Sequence, residues 1–244
     1  MSAVLAVFDL VGAATVAVWG TVVGVAETAA PLRRRTSPRR PRWSTNAKAA
    51  AVGGLLVRLA VVPAMLAVAS RFRGRGLLAA LPRPTRFVAG LVLMDGALWL
   101  WHRANHAVPS LWRFHAYHHL DPDLDVTTAL RFHPIELLLS IAARAIPIAV
   151  LGASPQMVVT YEIVLQCATL FHHGNVRLPA CLDGALAHAV VTPRMHGIHH
   201  SREADHTNSN WGVVLSLWDR VAGTQRLDVP QESIVIGIAS SERA

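Results

Sequence analysis

Hydrophobic positions along the chain gather into four long stretches, separated by short basic or polar ones. Residues 3–30 are apolar apart from Asp9 and Glu27, long enough to cross a hydrocarbon core that needs about 20 residues at 1.5 Å each. They predict a first membrane helix. A cleaved leader would carry positive charge ahead of its apolar part, and no Lys or Arg precedes residue 33. Residues 47–70 predict a second span, with Pro63 as a kink and Arg58 near the middle, where it must reach the interface or face the bundle interior. Residues 87–101, FVAGLVLMDGALWLW, predict a third helix running on through His102, with Trp99, Trp101 and Trp112 as an interfacial aromatic belt. From Leu137 to Phe171 the chain is apolar but broken by Pro147, Gly152 and Pro155. Two arms of roughly 15 residues are short for straight crossings and predict a bent hairpin that returns to its starting face. The pattern is that of an all-α integral membrane protein with about four membrane-embedded helical segments, one a bent hairpin, and a cytosolic helical cap from about residue 174.

The connecting stretches and the composition sharpen this picture. RRRTSPRRPR (33–42) carries six arginines among prolines and is expected to be neither membrane nor helix, while 71–86 is expected to form a short interfacial helix. Seven Lys or Arg at 31–48 outnumber five at 71–86, which places the first loop on the cytoplasmic side. The chain of 244 residues is 52% hydrophobic and 16% charged, with a mean hydropathy of +0.37, against about 25% charge in soluble domains. The net charge of +8 lies mostly in arginines beside apolar segments without interleaved aromatics. It therefore reads as topology and headgroup contact rather than nucleic-acid binding. Cys167 and Cys181 are too few for an iron–sulfur cluster or a disulfide framework and are expected as buried small hydrophobes.

The candidate chemistry is in the histidines. HRANHAVPSLWRFHAYHH (102–119) holds five of the thirteen, with His102 and His106 four apart and His115, His118 and His119 at i, i+3 and i+4. Helical backbone aims each set from one face. RMHGIHH repeats the triple as His196, His199 and His200, and LFHHGN places His172 and His173 between the two. A lone histidine is usually a satisfied structural residue, but eight imidazoles in HxxxH, HxxHH and HxxHH spacing are too many for one ion and suit two with open positions. Asp95 lies two turns ahead of His102 and is a candidate to orient a ligand imidazole, with a plain packing acid as the alternative.

Together, HRANH, HAYHH with DPDLDVTTALRFHPIE, HHGNVRLP, RMHGIHHS, TNSNWG and LSLWDRVAGT resemble the fatty acid hydroxylase and sterol desaturase superfamily over roughly residues 87–227. The resemblance implies an integral membrane, non-haem di-iron oxygenase that hydroxylates or desaturates a lipid with O2 and two external electrons. The lipid would be a sterol, fatty acyl chain, carotenoid or related molecule drawn from the bilayer. It implies two Fe ions held by His102, His106, His115, His118, His119, His196, His199 and His200, with His173 as a ninth ligand and His172 beside it less securely placed. His133 is expected to brace or line the site. Asn175, Asn208 and Asn210 are candidates to hydrogen-bond ligands or a bound water, loop-turn roles being the alternative, and Arg131 with Glu136 a local pair holding the histidine loop. His188 and His206 are expected to be structural.

These readings divide the chain into N-terminal membrane helices and basic loops (1–86), a catalytic domain (87–230) and a tail (231–244). The histidine boxes are expected on the cytoplasmic side. A zinc-dependent membrane hydrolase is the enzymatic rival, disfavoured because zinc sites close at four ligands. A metal transporter or sensor is the non-enzymatic rival, disfavoured because these ligands cluster beyond helix ends rather than along a pathway within the spans. The chain shows no GxGxxG after a strand and no cysteine set, so electrons are expected from a separate donor such as a ferredoxin with its reductase.

Overall fold

Apolar length, helix caps and a few buried ion pairs set the architecture. The computed structural model describes residue 6 and residues 8–239, so the last five residues of the expected tail lie outside it. Three helices are long and apolar enough to cross a membrane: α1 (Phe8–Ala29), α2 (Arg39–Phe72) and α5 (Pro134–Leu151). Two more complete the bundle, α3 (Arg83–Ala107) and α6 (Pro155–His173). α4 (Pro109–His119) follows α3 after one extended residue, Val108, and the Pro at its first position suits that start. Short helices α7 (Ala180–Ala187), α8 (Pro193–His199), α9 (Ala204–Thr207) and α10 (Leu217–Ala222) form the cap. Among the described residues there is no strand, only isolated bridges such as Ser201 with Ile236.

The expected hairpin is present as α5 and α6, turned by Gly152 at φ 68 and capped by Ser154, whose side chain accepts from Met157 N. It returns the chain so that His133 before α5 and His173 at the end of α6 lie at the same end of the bundle. At the opposite end, Gly74 N donates to Gly152 O at 3.0 Å and Leu77 N to Val150 O at 2.9 Å. That segment is turns, not the expected interfacial helix, because Gly74, Gly76 and Pro82 break it. The core runs between α2, α3, α5 and α6, with Val62, Met65, Ile148 and Val158 fully buried. Arg58 is met by Asp9 of α1 at 2.6 Å, so the bundle supplies its counter-charge.

Three further expectations change. The arginine segment is not wholly irregular: α2 begins at Arg39, since Pro41 falls within the first turn, where a missing N–H costs nothing. Nor is it a solvated linker, for Arg42 is buried and reaches Asp121 at 2.5 Å and Asp125 at 2.7 Å, while Arg33 donates to Pro193 O and Gln231 Oε1. Trp99 is not in an interfacial belt but buried, its indole N–H given to Asp219. Cys181 is exposed and Cys167 half-buried, both free thiols, because Cys181 sits on the first turn of a cap helix.

Candidate metal centre

Four helix ends meet at one end of the bundle, and each delivers histidines. The last turns of α3 bring His102 and His106, and α4 brings His115, His118 and His119. The end of α6 brings His173. α8, whose first turn is capped by the Thr192 side chain on Met195 N, brings His196 and His199, with His200 just beyond it. Potential ligand nitrogens fall within 4.8 Å of one another in two groups, His102, His106, His115, His119 and His199 in one, His118, His173, His196 and His200 in the other. Each HxxHH run is divided between them. His115 and His119, four apart on α4, join the first group and His118 the second; from α8, His196 and His200 join the second and His199 the first. The groups abut where His119 and His200 stack with ring centres 4.2 Å apart.

Hydrogen bonds at Nδ1 fix the rings. His102 donates to Trp211 O at 2.9 Å, His118 to Arg131 O at 3.1 Å, His173 to Thr169 O at 2.8 Å and His199 to Ser209 O at 2.9 Å. His115 donates to Glu136 Oε1 at 2.8 Å. A carbonyl has no proton to give, so these Nδ1 atoms carry it and each Nε2 presents a lone pair. His118 and His173 thus face each other with two Nε2 lone pairs 3.0 Å apart, and His196 Nε2 lies 3.0 Å from His173 Nε2. Lone pairs so placed repel unless a cation lies among them. In the other group the Nε2 atoms of His106, His115, His119 and His199 are buried without a partner. Burial, and after it neighbouring imidazoles, holds His118, His119, His196, His199 and His200 well below the usual histidine range, in the neutral form that ligates. Converging, buried, neutral nitrogens fit a metal, and both groups can hold one.

The residues expected around the ligands are placed differently. Asp95 orients no imidazole; it accepts from Tyr161 Oη, Leu215 N and Trp218 Nε1, tying α3 to α6 and the cap. Asn175 makes paired bonds with the backbone N and O of Arg33, and Asn210, at φ 53, donates to Met195 O and Arg226 O; neither touches a ligand ring. Asn208 donates to Ala204 O. His133 caps α5 by accepting from Ile135 N at 3.2 Å. His172 is buried with its ring 4.1 Å from that of His196, outside both groups, and lines the cavity below. His206 meets Ser201 Oγ at 3.2 Å. Arg131 and Glu136 do not pair: Arg131 donates to Tyr117 O and Asn46 Oδ1, leaving Glu136 to His115. Asp219 was not singled out in the sequence. It accepts from Trp99 Nε1, the N–H of Trp211 and Gly212, and Thr224 Oγ1, and so holds the carbonyl that receives His102. Burial pushes its carboxyl up against those donors. The one signal was an acid directly after the apolar and aromatic pair Leu217 and Trp218 in SLWDRV.

The centre roofs an apolar cleft that encloses about 870 Å³ including its open mouth, walled by Leu98, Trp101, Leu137, Leu165 and Val213 below His102, His118 and His173. Val57 and Val61, from a π-helical turn of α2, complete the wall. A polar pocket lined by Trp112, Ser201, Arg202 and Thr207 reaches the centre at His106 and His119.

Comparison with known proteins places this site. The chain is 37% identical over 157 residues to ornithine lipid hydroxylase OlsE of Rhizobium tropici, which covers 64% of the chain and 46% of that protein. It is 25% identical over 160 residues to alkylglycerol monooxygenase of Homo sapiens, 64% of the chain and 33% of the relative. With cholesterol 25-hydroxylase of Homo sapiens it shares 26% over 140 residues, 56% of the chain and 49% of the relative. The chain thus spans half or less of the length of these relatives, and no solved structure matches it. The fatty acid hydroxylase family model matches residues 87–224, which carry every histidine of both groups and more than half of the 244 residues, and the chain belongs to that family.

Proposed function

We propose that the protein is a membrane-bound, O2-dependent lipid hydroxylase with two iron ions held by the nine histidines of the two groups. The observation that carries this is the convergence of nine imidazoles, five and four, at the roof of an apolar cavity. When bound, the iron pair would supply O2 activation: one oxygen atom enters a C–H bond as hydroxyl and the other leaves as water, with two electrons and two protons consumed. The chain's own groups do the rest. Glu136 and the carbonyls of Trp211, Arg131, Thr169 and Ser209 fix ring tautomer and direction. Leu98, Leu137 and Leu165 keep water from the reacting carbon, and the walls of α2, α5 and α6 hold it in place.

Hydroxylation is favoured over desaturation because the relatives compared above are hydroxylases and monooxygenases by name. The donor of electrons is a separate protein of ferredoxin type, and the histidines face the cytoplasm, the side to which the arginine count assigns the 31–48 loop. That loop packs on the cap through Arg33, which supports one shared side. Comparative lipidomics of cells with and without the protein should reveal a lipid class gaining one oxygen. Cleaved acyl chains would instead favour a zinc hydrolase.

A further inference from the structure

The cavity below the metal centre is walled by two stripes of polar side chains that a hydrocarbon ligand would leave unused. On α5, Glu136, Ser140 and Arg144 recur every fourth residue, so they share one face and span about 12 Å at 1.5 Å per residue. α6 turns Glu162, Gln166 and Thr169 to the same space at intervals of four and three. Part of this polarity is met within the protein: Arg144 Nη1 donates to Glu162 Oε1 at 2.5 Å, Ser140 Oγ to Leu137 O and Thr169 Oγ1 to Leu165 O. Part is not. At the histidine end, Glu136 Oε2 and Asn105 Oδ1 are buried acceptors without a donor, and further down Arg144 Nε is a buried donor without an acceptor. Each such atom is costly while unmet, and an ion pair inside membrane-embedded helices adds to that.

We propose that this cavity takes a lipid by its polar part. A hydrogen-bond donor of the lipid, N–H or O–H, lies beside the reacting carbon against Glu136 and Asn105. An acyl carbonyl, of an amide or an ester, lies deeper in the cavity against Arg144 and Gln166. This rests on the oxygenase reading and narrows it: the oxidised carbon belongs to the headgroup side of the lipid, not to the middle of a chain. The tail passes Gln166 into a neighbouring apolar groove between α1, α2 and α6, which shares Val57, Phe132, Leu137, Glu162 and Gln166 with the cavity. Gly53 and Gly54 keep that groove open on the α2 side.

The test uses the metal-loaded full chain in detergent and two lipids of equal length, an N-acylethanolamine and a dialkyl ether, with binding read by native mass spectrometry. The acylethanolamine should bind roughly tenfold or more tightly, the scale of one hydrogen bond to a charged group. Arg144→Met should remove most of that preference while ether binding changes by less than about twofold. Gln166→Leu leaves the Arg144–Glu162 pair intact and should narrow the preference in the same direction, which covers the case in which Arg144→Met fails to fold. An ester analogue that binds like the amide places recognition at the carbonyl. Equal binding of amide and ether to the unaltered protein, or an equal loss for both lipids in both variants, would overturn the proposal and reduce the pair to a pin between α5 and α6. Fragmentation of the product separates the two readings. Preference with no product once reductase, carrier and O2 are supplied keeps the polar subsite and sinks the oxygenase, whereas oxygen in mid-chain keeps the oxygenase and sinks the subsite.

Discussion

Position within an HxxHH run decides which group a histidine joins. The first and last of the run, four apart, stand on one face of the helix and the middle one points aside, so α4 gives two rings to the first group and α8 two to the second. His119→Ala should therefore lower the metal content from about two to about one ion per chain by elemental analysis, since five or four imidazoles suit a single ion. His188→Ala, outside both groups, should leave it unchanged, and equal loss in both variants would contradict the assignment. Glu136→Gln keeps the shape but weakens the hold on His115, and metal affinity or activity should fall about 10–100-fold. Undiminished metal binding in that variant would show that the carboxylate does not orient the ring. The ligand spacing was legible in the sequence because it is local. The roles of Asp95 and Asp219 were not, since each ties a distant element, Asp95 the backbone of Leu215 and Asp219 the indole of Trp99, both 120 positions away in the chain.

Among the elements, buried charge locks the arginine loop to the histidine end. Arg42 serves Asp121 and Asp125 together, with Asn46 and Thr128 also on Asp121, all of them buried. Arg42→Met would strand two carboxylates and should destabilise the protein by about 3–5 kcal/mol, seen as a lower unfolding midpoint in detergent. Arg40→Met, at an exposed position, should stay within about 0.5 kcal/mol. Similar losses in both would mean that the segment is held by net charge alone. At the other end, a Cβ on Gly76 would sit 2.1 Å from Gly152 N, so Gly76→Ala should open the contact between the 73–82 turns and the hairpin. Thermal unfolding no lower than that of the parent would refute this close approach. Apolar runs revealed the helices, and the Pro and Gly positions the hairpin. The sequence alone misread RRRTSPRRPR because Pro41 breaks a helix in its interior but not in its first turn, and the aspartates that bury Arg42 come from 79 and 83 residues away.

For the whole molecule, the order of helices places the 31–38 loop and every histidine of the centre at one end and the 73–82 turns at the other. In a cysteine-free background, a thiol at Ser37 should resist labelling from outside intact cells while one at Arg75 should react; the reverse pattern would invert the topology. Electron supply belongs to this scale too. Reconstituted protein should turn over only with an added reductase and carrier, at a rate that falls as salt screens exposed arginines such as Arg34 and Arg40. Activity with NADPH alone would place a redox site in the chain. The class of the molecule, apolar spans with a histidine centre at one end, followed from patterns within single segments. The polar lining of the cavity did not, because Glu136, Ser140, Arg144 and Gln166 share a wall only once α5 and α6 are folded against α2 and α3.

Insertion of oxygen from O2 into a lipid, the proposed reaction, leaves an isotopic record in its product. The most direct measurement is turnover of the iron-loaded protein with reductant under isotope-labelled O2 in unlabelled water, with the product read by mass spectrometry. Insertion from O2 puts one labelled oxygen atom in each molecule of hydroxylated lipid and none in the products formed by His119→Ala. Product oxygen drawn from water, as a metal-bound hydroxide attacking an ester would give, would contradict it.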